Sequence, residues 1–157
     1  MKKVVLILAI IILAGCKAKK IEVIEPAVPR VEKLALSAVN YNLKNKAYEL
    51  GKRMLMTCNT SKFKPYNNSE ATASVINNIT EKKLSKTCGI YRQRYGTFID
   101  LQLIEVFKNN DDKTTIFRYK ALYTKKVANK ELRLFMNDEN KLSSIKTMDW
   151  VDTYDNK

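Results

Sequence analysis

The chain of 157 residues is 45% hydrophobic and 29% charged, with few Gly or Pro, which excludes a collagen, a coiled coil and a wholly disordered protein. Its formal net charge is +13, and it contains no histidine. Without histidine the chain lacks the commonest general base, the commonest metal ligand and any Ser–His or Cys–His nucleophile. We therefore expect no metal site, and no motif indicates a cofactor. Lys and Arg are scattered along the chain, which argues against a nucleic acid partner.

The first residues have the organisation of an export signal. Lys2 and Lys3 form a short cationic region, and residues 4–14 are an unbroken apolar run of eleven residues. A run of that length is too short to span a bilayer, which needs about twenty residues, and it matches the apolar region of a secretory signal. We predict that residues 1–15 are a signal peptide.

The tetrapeptide Leu13-Ala14-Gly15-Cys16 resembles the lipobox of bacterial lipoproteins. The resemblance implies that Cys16 carries diacylglyceryl and palmitate-type acyl chains and becomes the mature N-terminus, anchored stably in a membrane of the cell envelope. Because Lys17 rather than an Asp follows the cysteine, we expect the outer membrane, facing the periplasm. The alternative is an ordinary cleaved signal followed by a chance cysteine.

Residues 16–33 are predicted to be the lipidated cysteine and a flexible tether. Lys17, Lys19 and Lys20 would be attracted to anionic headgroups. Pro26 and Pro29 disfavour helix and favour an extended linker. A single folded domain is therefore expected over residues 34–151, with residues 152–157 as a frayed tail.

Two helical regions follow the tether. A first apolar stripe recurs at steps of three or four residues, with a possible break at residues 42–46. It comprises Leu36, Val39, Leu43, Ala47, Leu50, Met54 and Cys58. A second stripe comprises Val75, Ile76, Ile79, Leu84, Cys88, Tyr91 and Tyr95. We expect the second region to divide at Thr80, which would cap a further helix, and to stop at Gly96.

After Gly96 the period becomes two, which predicts strands at 97–108, 114–125, 130–136 and 142–151. Their short polar connections favour antiparallel neighbours. The predicted fold class is α+β, with N-terminal helices packed on a curved antiparallel sheet of about four strands.

This layout resembles the nuclear transport factor 2-like (cystatin-like) fold. The likeness is carried by residues 46–50, 84–96 and 137–142. It implies a cone-like sheet covered by helices. Members of this fold bind small ligands, dimerise or occasionally catalyse, and no catalytic set of theirs can be placed on this chain.

Cys58 and Cys88 remain after lipidation and are predicted to form a disulfide, because a compartment outside the cytoplasm is oxidising. Closing this loop of about 30 residues would stabilise the fold by roughly 3 to 4 kcal/mol. Two separate buried thiols are the alternative. A catalytic redox pair is disfavoured, because the spacing is not Cys-x-x-Cys.

A set of aromatic residues could line a pocket inside the sheet, with hydroxyl groups as polar handles, or could simply be core. The candidate ligand-binding residues are Tyr91, Tyr95, Phe117, Tyr119, Tyr123 and Trp150. Carboxylates that could act as acid and base, or lie solvated at the surface, are Asp100, Glu105, Asp149 and Asp152. Residues that could bind an anion, or form an exposed basic face, are Arg92, Arg94, Arg118 and Lys120.

The function predicted from these features is that of a lipid-anchored envelope lipoprotein. Its α+β domain would bind another envelope protein or a small ligand without catalysis. Two alternatives remain at this point. One is an enzyme of the same fold that acts on a small periplasmic molecule, and the other is a structural protein of the cell envelope.

Overall fold

The computed structural model describes residues 29–125 and 130–155. The predicted signal peptide, Cys16 and most of the predicted tether lie outside the described residues. Within these two ranges, no helix combines the length and the apolarity that crossing a bilayer requires. The same ranges hold no group of three or more His, Cys, Asp or Glu side chains that could bind a metal ion.

The sheet is an antiparallel meander of five strands in the order β1-β2-β3-β4-β5. The strands are β1 (Val31–Leu34), β2 (Phe98–Asn109), β3 (Thr115–Tyr123), β4 (Lys130–Met136) and β5 (Leu142–Asp149). The α+β class and the four strands predicted after Gly96 are thereby confirmed, with ends that differ by a few residues. The sheet has five strands instead of the predicted four or so, because β1 pairs with β2.

The first strand corrects the expected tether. The sequence predicts a flexible tether over residues 31–33, but these residues pair with the far end of β2, with Val31 opposite Asn109 and Leu34 opposite Val106. The backbone of Asn110 also donates to the carbonyl of Arg30 at 2.9 Å. The folded domain therefore starts before residue 34.

Three helices precede the long strands: α1 (Tyr41–Thr60), α2 (Ala73–Asn78) and α3 (Glu81–Tyr95). Asn40 caps α1 by accepting a hydrogen bond from the backbone of Leu43 at 3.1 Å. The first residues of the predicted stripe, Leu36 and Val39, therefore lie before the helix. The predicted break at residues 42–46 is absent, because α1 is continuous there. The predicted division at Thr80 is confirmed, because its side chain accepts from the backbone of Lys83. Gly96 ends α3 with φ of 81°.

The core lies between the helices and one face of the sheet. It contains Ala47, Leu50 and Met54 of α1 and alternate residues of β2, β3 and β4. Gly51 marks the closest approach of α1 to the sheet, since a Cβ atom there would lie 2.7 Å from Leu134 Cδ1 and 2.9 Å from Leu132 Cδ2. The helix thus lies directly on the leucines of β4.

This contact gives a matched pair of predictions. Gly51→Ala is expected to lower the free energy of unfolding by about 1–2 kcal/mol, because overpacking exceeds the gain in helix propensity. Gly89→Ala in α3 is expected to raise it by about 0.5–1 kcal/mol, since nothing lies within 4 Å of its new Cβ. Urea denaturation of both variants measures the two shifts. A stabilised Gly51→Ala variant would contradict the close packing of α1.

The opposite face of the sheet carries charged residues that are buried. Arg118, Glu131 and Arg133 are 0%, 1% and 2% exposed, and Glu105 bridges Lys33 and Arg118 at 2.7 Å each. We call these residues, Lys33, Glu105, Arg118, Glu131 and Arg133, the charged face. Glu131 accepts from Arg118 at 2.7 Å and also accepts from Arg133. Every carboxylate of this face therefore contacts two cations.

Residues 150–155 cover the charged face, which corrects the expected frayed tail. The Trp150 ring lies 4.1 Å from the Arg118 guanidinium carbon, and the Tyr154 ring stacks on Phe107 with centroids 4.0 Å apart. Arg118 donates to the carbonyl of Val151, and Arg133 donates to that of Asp155. The segment is held on the sheet by its backbone as well as by its two rings.

Candidate functional site

The six aromatic candidates do not line one pocket. Tyr91, Tyr95 and Tyr123 form a cluster between α3 and the end of β3, with ring centroids 5.1 to 6.2 Å apart. Lys130 lies over this cluster, 4.9 Å from the Tyr95 ring. These three rings close one end of the space between α3 and the sheet.

The other three aromatic candidates lie elsewhere. Phe117 and Tyr119 are 0% and 1% exposed in the core, with stacked rings 6.4 Å apart, and no residue in the described part of the chain forms a hydrogen bond with the Tyr119 hydroxyl. Burial raises the pKa of Tyr119. Trp150 lies on the opposite side of the sheet, over Arg118. Phe117 and Tyr119 are therefore core residues, which was the alternative to a pocket lining.

The candidate acids are also dispersed, each in its own interaction. Asp100 accepts from the Tyr48 hydroxyl at 2.6 Å, which lowers the pKa of that carboxyl. Burial opposes ionisation of Glu105, but hydrogen bonds from Lys33 and Arg118 hold its pKa below the ordinary value. Asp149 pairs with Lys130, and Asp152 accepts from Trp150. No two of these four acids converge on a shared cavity.

The basic candidates divide in the same way. Arg92 and Arg94 are exposed on α3, while Arg118 is buried in the charged face and Lys120 lies 5.4 Å from the Trp150 ring. A depression of about 490 Å³ beside α1 is charged as well, but its Arg53 and Glu70 already form two hydrogen bonds of 2.9 and 2.8 Å. No anion site is assembled from these residues.

An apolar cavity of about 230 Å³ lies where the three helices meet β5, and we call it the β5 groove. Its walls are mainly aliphatic, sulfur-bearing and aromatic side chains, with a polar rim. The lining residues are Met54, Leu55, Cys58, Asn78, Ile79, Lys83, Leu84, Thr87, Tyr91, Ile145 and Thr147. A few polar groups around an apolar floor are typical of binding sites.

The rim of the groove is defined by Asn78 and Lys83, whose side chains are joined by a hydrogen bond of 3.2 Å. Lys83 is the one charged residue among the lining residues, and none of them is a carboxylate. The groove therefore offers a cation, hydroxyl groups and apolar surface, and its lining residues include no carboxylate.

The wall formed by α3 is attached by a disulfide. Cys58 and Cys88 are bonded, with Cα atoms 4.8 Å apart, which confirms the predicted pairing. Cys88 is the one buried residue of α3. The disulfide thus ties α3 to α1 and helps to set the width of the groove, together with Leu84, Tyr91 and Tyr95, which are partly buried against the core.

A second cavity of about 160 Å³ continues the groove along β5. It shares Asn78, Ile79 and Ile145 with the groove. Its other lining residues are Ser74, Val75, Ser143 and Ser144. The two cavities form one line beside the last strand.

Sequence reasoning identified much of the groove as core, because Met54, Cys58, Ile79, Leu84 and Tyr91 lie on its two helical stripes. It did not identify the contribution of β5. The two-residue period does place Ile145 and Thr147 on one face of that strand, and this was the available signal. That the helices leave this face partly uncovered depends on how α2 and α3 pack.

Comparisons with protein-family models, with curated proteins and with solved structures find no match to this chain.

Proposed function

We propose that this chain is a lipid-anchored lipoprotein of a bacterial cell envelope whose domain binds a protein partner or small ligand in the β5 groove without catalysis. The observation that carries the binding role is the groove itself. It is apolar, about 230 Å³ in volume and rimmed by Lys83 and hydroxyl groups, and it holds no carboxylate.

Two features support the cellular location. The Leu13–Cys16 tetrapeptide after an eleven-residue apolar run provides the acylation site, and Lys17 favours the outer membrane. The Cys58–Cys88 disulfide fits an oxidising compartment outside the cytoplasm. For the fold, we propose the nuclear transport factor 2-like type, supported by helices that precede the long strands of an antiparallel meander.

The anchor and the groove are tested in one experiment on intact cells of a bacterial host. A photo-crosslinking residue replaces Thr147, which lines the groove and is exposed, and in a control it replaces Gln102, which is exposed on the opposite face. We expect one dominant adduct from position 147 and none from position 102. Fed alkyne-palmitate should label the chain and fail to label Cys16→Ala.

The labelling readout and the crosslinking readout test separate claims. Labelling that persists in Cys16→Ala would contradict the lipid anchor, whatever the crosslinks show. Equal adducts from positions 147 and 102, or none from 147, would contradict binding in the groove. A crosslinked protein would identify a partner, and a small crosslinked mass increment would identify a ligand.

A further inference from the structure

The last strand is an edge of the sheet. β5 pairs with β4 on one side, and in the part of the chain that the structure describes no strand pairs with its other side. An edge strand presents backbone N–H and C=O groups that favour pairing with another extended chain. β5 differs from β1, the other edge strand, because the two cavities lie along β5 on the face of the sheet that the helices cover.

One residue at the start of β5 already forms backbone hydrogen bonds along this edge with another segment of the domain. Residues 70–72 approach the start of β5 in an extended conformation and form a parallel bridge between Ala71 and Leu142. Leu142 donates to the carbonyl of Glu70 at 2.9 Å and accepts from the backbone of Thr72 at 3.0 Å. The chain then turns into α2, so the pairing stops where the cavities begin.

The side-chain spacing of an extended segment matches the position of the two cavities along β5. Side chains of an extended segment alternate between two faces, so every second residue of a segment on this edge would point toward the helices. Those residues would enter the two cavities, whose shared walls are Ile79 and Ile145. The apolar lining of the β5 groove selects an apolar side chain there, whereas the second cavity, lined by three serines and Asn78 beside three aliphatic residues, suits a small side chain.

The charge beside the edge favours an acidic segment. Lys83 lines the groove, Lys82 and Lys86 are exposed on the same helix, and Glu81 is the one acidic residue of that helix. Neither cavity has a carboxylate in its lining. A segment that alternates apolar and acidic side chains therefore matches both the walls and the surrounding charge.

We propose that the edge of β5 binds an extended, acidic peptide segment of a partner protein, parallel to β5, with apolar side chains directed into the β5 groove. This inference rests on the proposed binding role of the groove and specifies its partner. It is the mode in which a peptide adds a strand to a sheet, where backbone hydrogen bonds give affinity and pockets give specificity.

The test uses the full-length lipoprotein in detergent micelles and a soluble synthetic probe, the acetylated and amidated heptapeptide Ile-Glu-Val-Glu-Ile-Glu-Val. A control peptide carries Lys in place of each Glu. Amide hydrogen exchange reports where the probe binds. We expect slowed exchange in residues 143–148 with the acidic probe, no change with the basic peptide, and no change in β1, the other edge strand.

Two charge-reversal variants distinguish a local contact between the probe and Lys83 from general electrostatic attraction to a basic protein. Lys83→Glu is expected to weaken binding of the acidic probe about 1.4- to fivefold, since an exposed ion pair contributes about 0.2–1 kcal/mol. Lys113→Glu, in the turn between β2 and β3, changes the net charge equally and should leave the affinity unchanged. Because both residues are exposed, neither variant should affect folding.

Three results would overturn this inference: no protection of β5, equal binding of the basic peptide, or protection of β5 by self-association without any peptide, which would assign the edge to a second copy. If the probe fails but position 147 still gives one crosslinked adduct, the groove binds something other than an extended peptide. If both fail, the binding role of the groove is wrong as well.

Discussion

Glu131→Gln is expected to lower the free energy of unfolding by about 3–5 kcal/mol, because it removes the carboxylate that two buried arginines share. Arg118 and Arg133 are 0% and 2% exposed, and each donates to Glu131. The neutral amide cannot compensate two cations that have lost their water. Urea denaturation followed by the fluorescence of Trp150, the one tryptophan of the chain, measures the change.

A matched control removes a carboxylate from an exposed pair. Glu139 is 64% exposed and lies 2.7 Å from Lys141, so Glu139→Gln should cost less than about 1 kcal/mol. Trp150 lies over Arg118, so its emission should also shift in Glu131→Gln before global unfolding if the covering segment loosens. A cost below 1 kcal/mol for Glu131→Gln would show that the charged face is not a closed ion-pair network.

Removal of the disulfide is the second change with a large expected effect. The Cys58→Ala/Cys88→Ala double variant should lose about 3–4 kcal/mol of unfolding free energy, because the unfolded chain regains the freedom of a 30-residue loop. Hydrogen exchange should locate the loss in α3, whose one buried residue is Cys88, and leave the amides of β3 nearly unchanged in relative protection.

Reductant supplies the control for this prediction. Treatment with a thiol reductant should destabilise the original chain by the same amount and leave the double variant unaffected. This comparison distinguishes the effect of breaking the disulfide from the effect of removing the two sulfur atoms. If α3 keeps its protection in the double variant, the helix is held by the aromatic contacts of Tyr91 and Tyr95, and the disulfide does not set the width of the groove.

The regular elements could be predicted because each carries a long periodic pattern. The twenty residues of α1 bury one face, so their helical period is visible in the sequence. The twelve residues of β2 form a long run that is recognisable as a strand, although the adjacent Val106 and Phe107 are both buried. β1 has four residues and follows two prolines closely, so no period could be seen. Its place in the sheet depends on backbone pairing with β2, for which a sequence gives no signal.

The charged face could not be predicted because its burial is produced by residues distant in the chain. Arg118 alternates with the core residues Phe117 and Tyr119, which is the pattern of a solvated face. It is buried because residues 150–155 return over β3 and β4. The aromatic residues Trp150 and Tyr154, four apart in a polar segment, were the available indication that this segment packs.

The position of the covering segment has a consequence for the order in which the domain folds. Glu105 is held from both ends of the domain, by Lys33 near its start and by Arg118, whose guanidinium donates to the carbonyl of Val151 near its end. Glu105 and Glu131 can pair with Arg118 as soon as their strands meet, but this face stays open to water until residues 150–155 pack over it. We therefore expect the docking of this segment to be the folding step that separates the ion pairs from solvent.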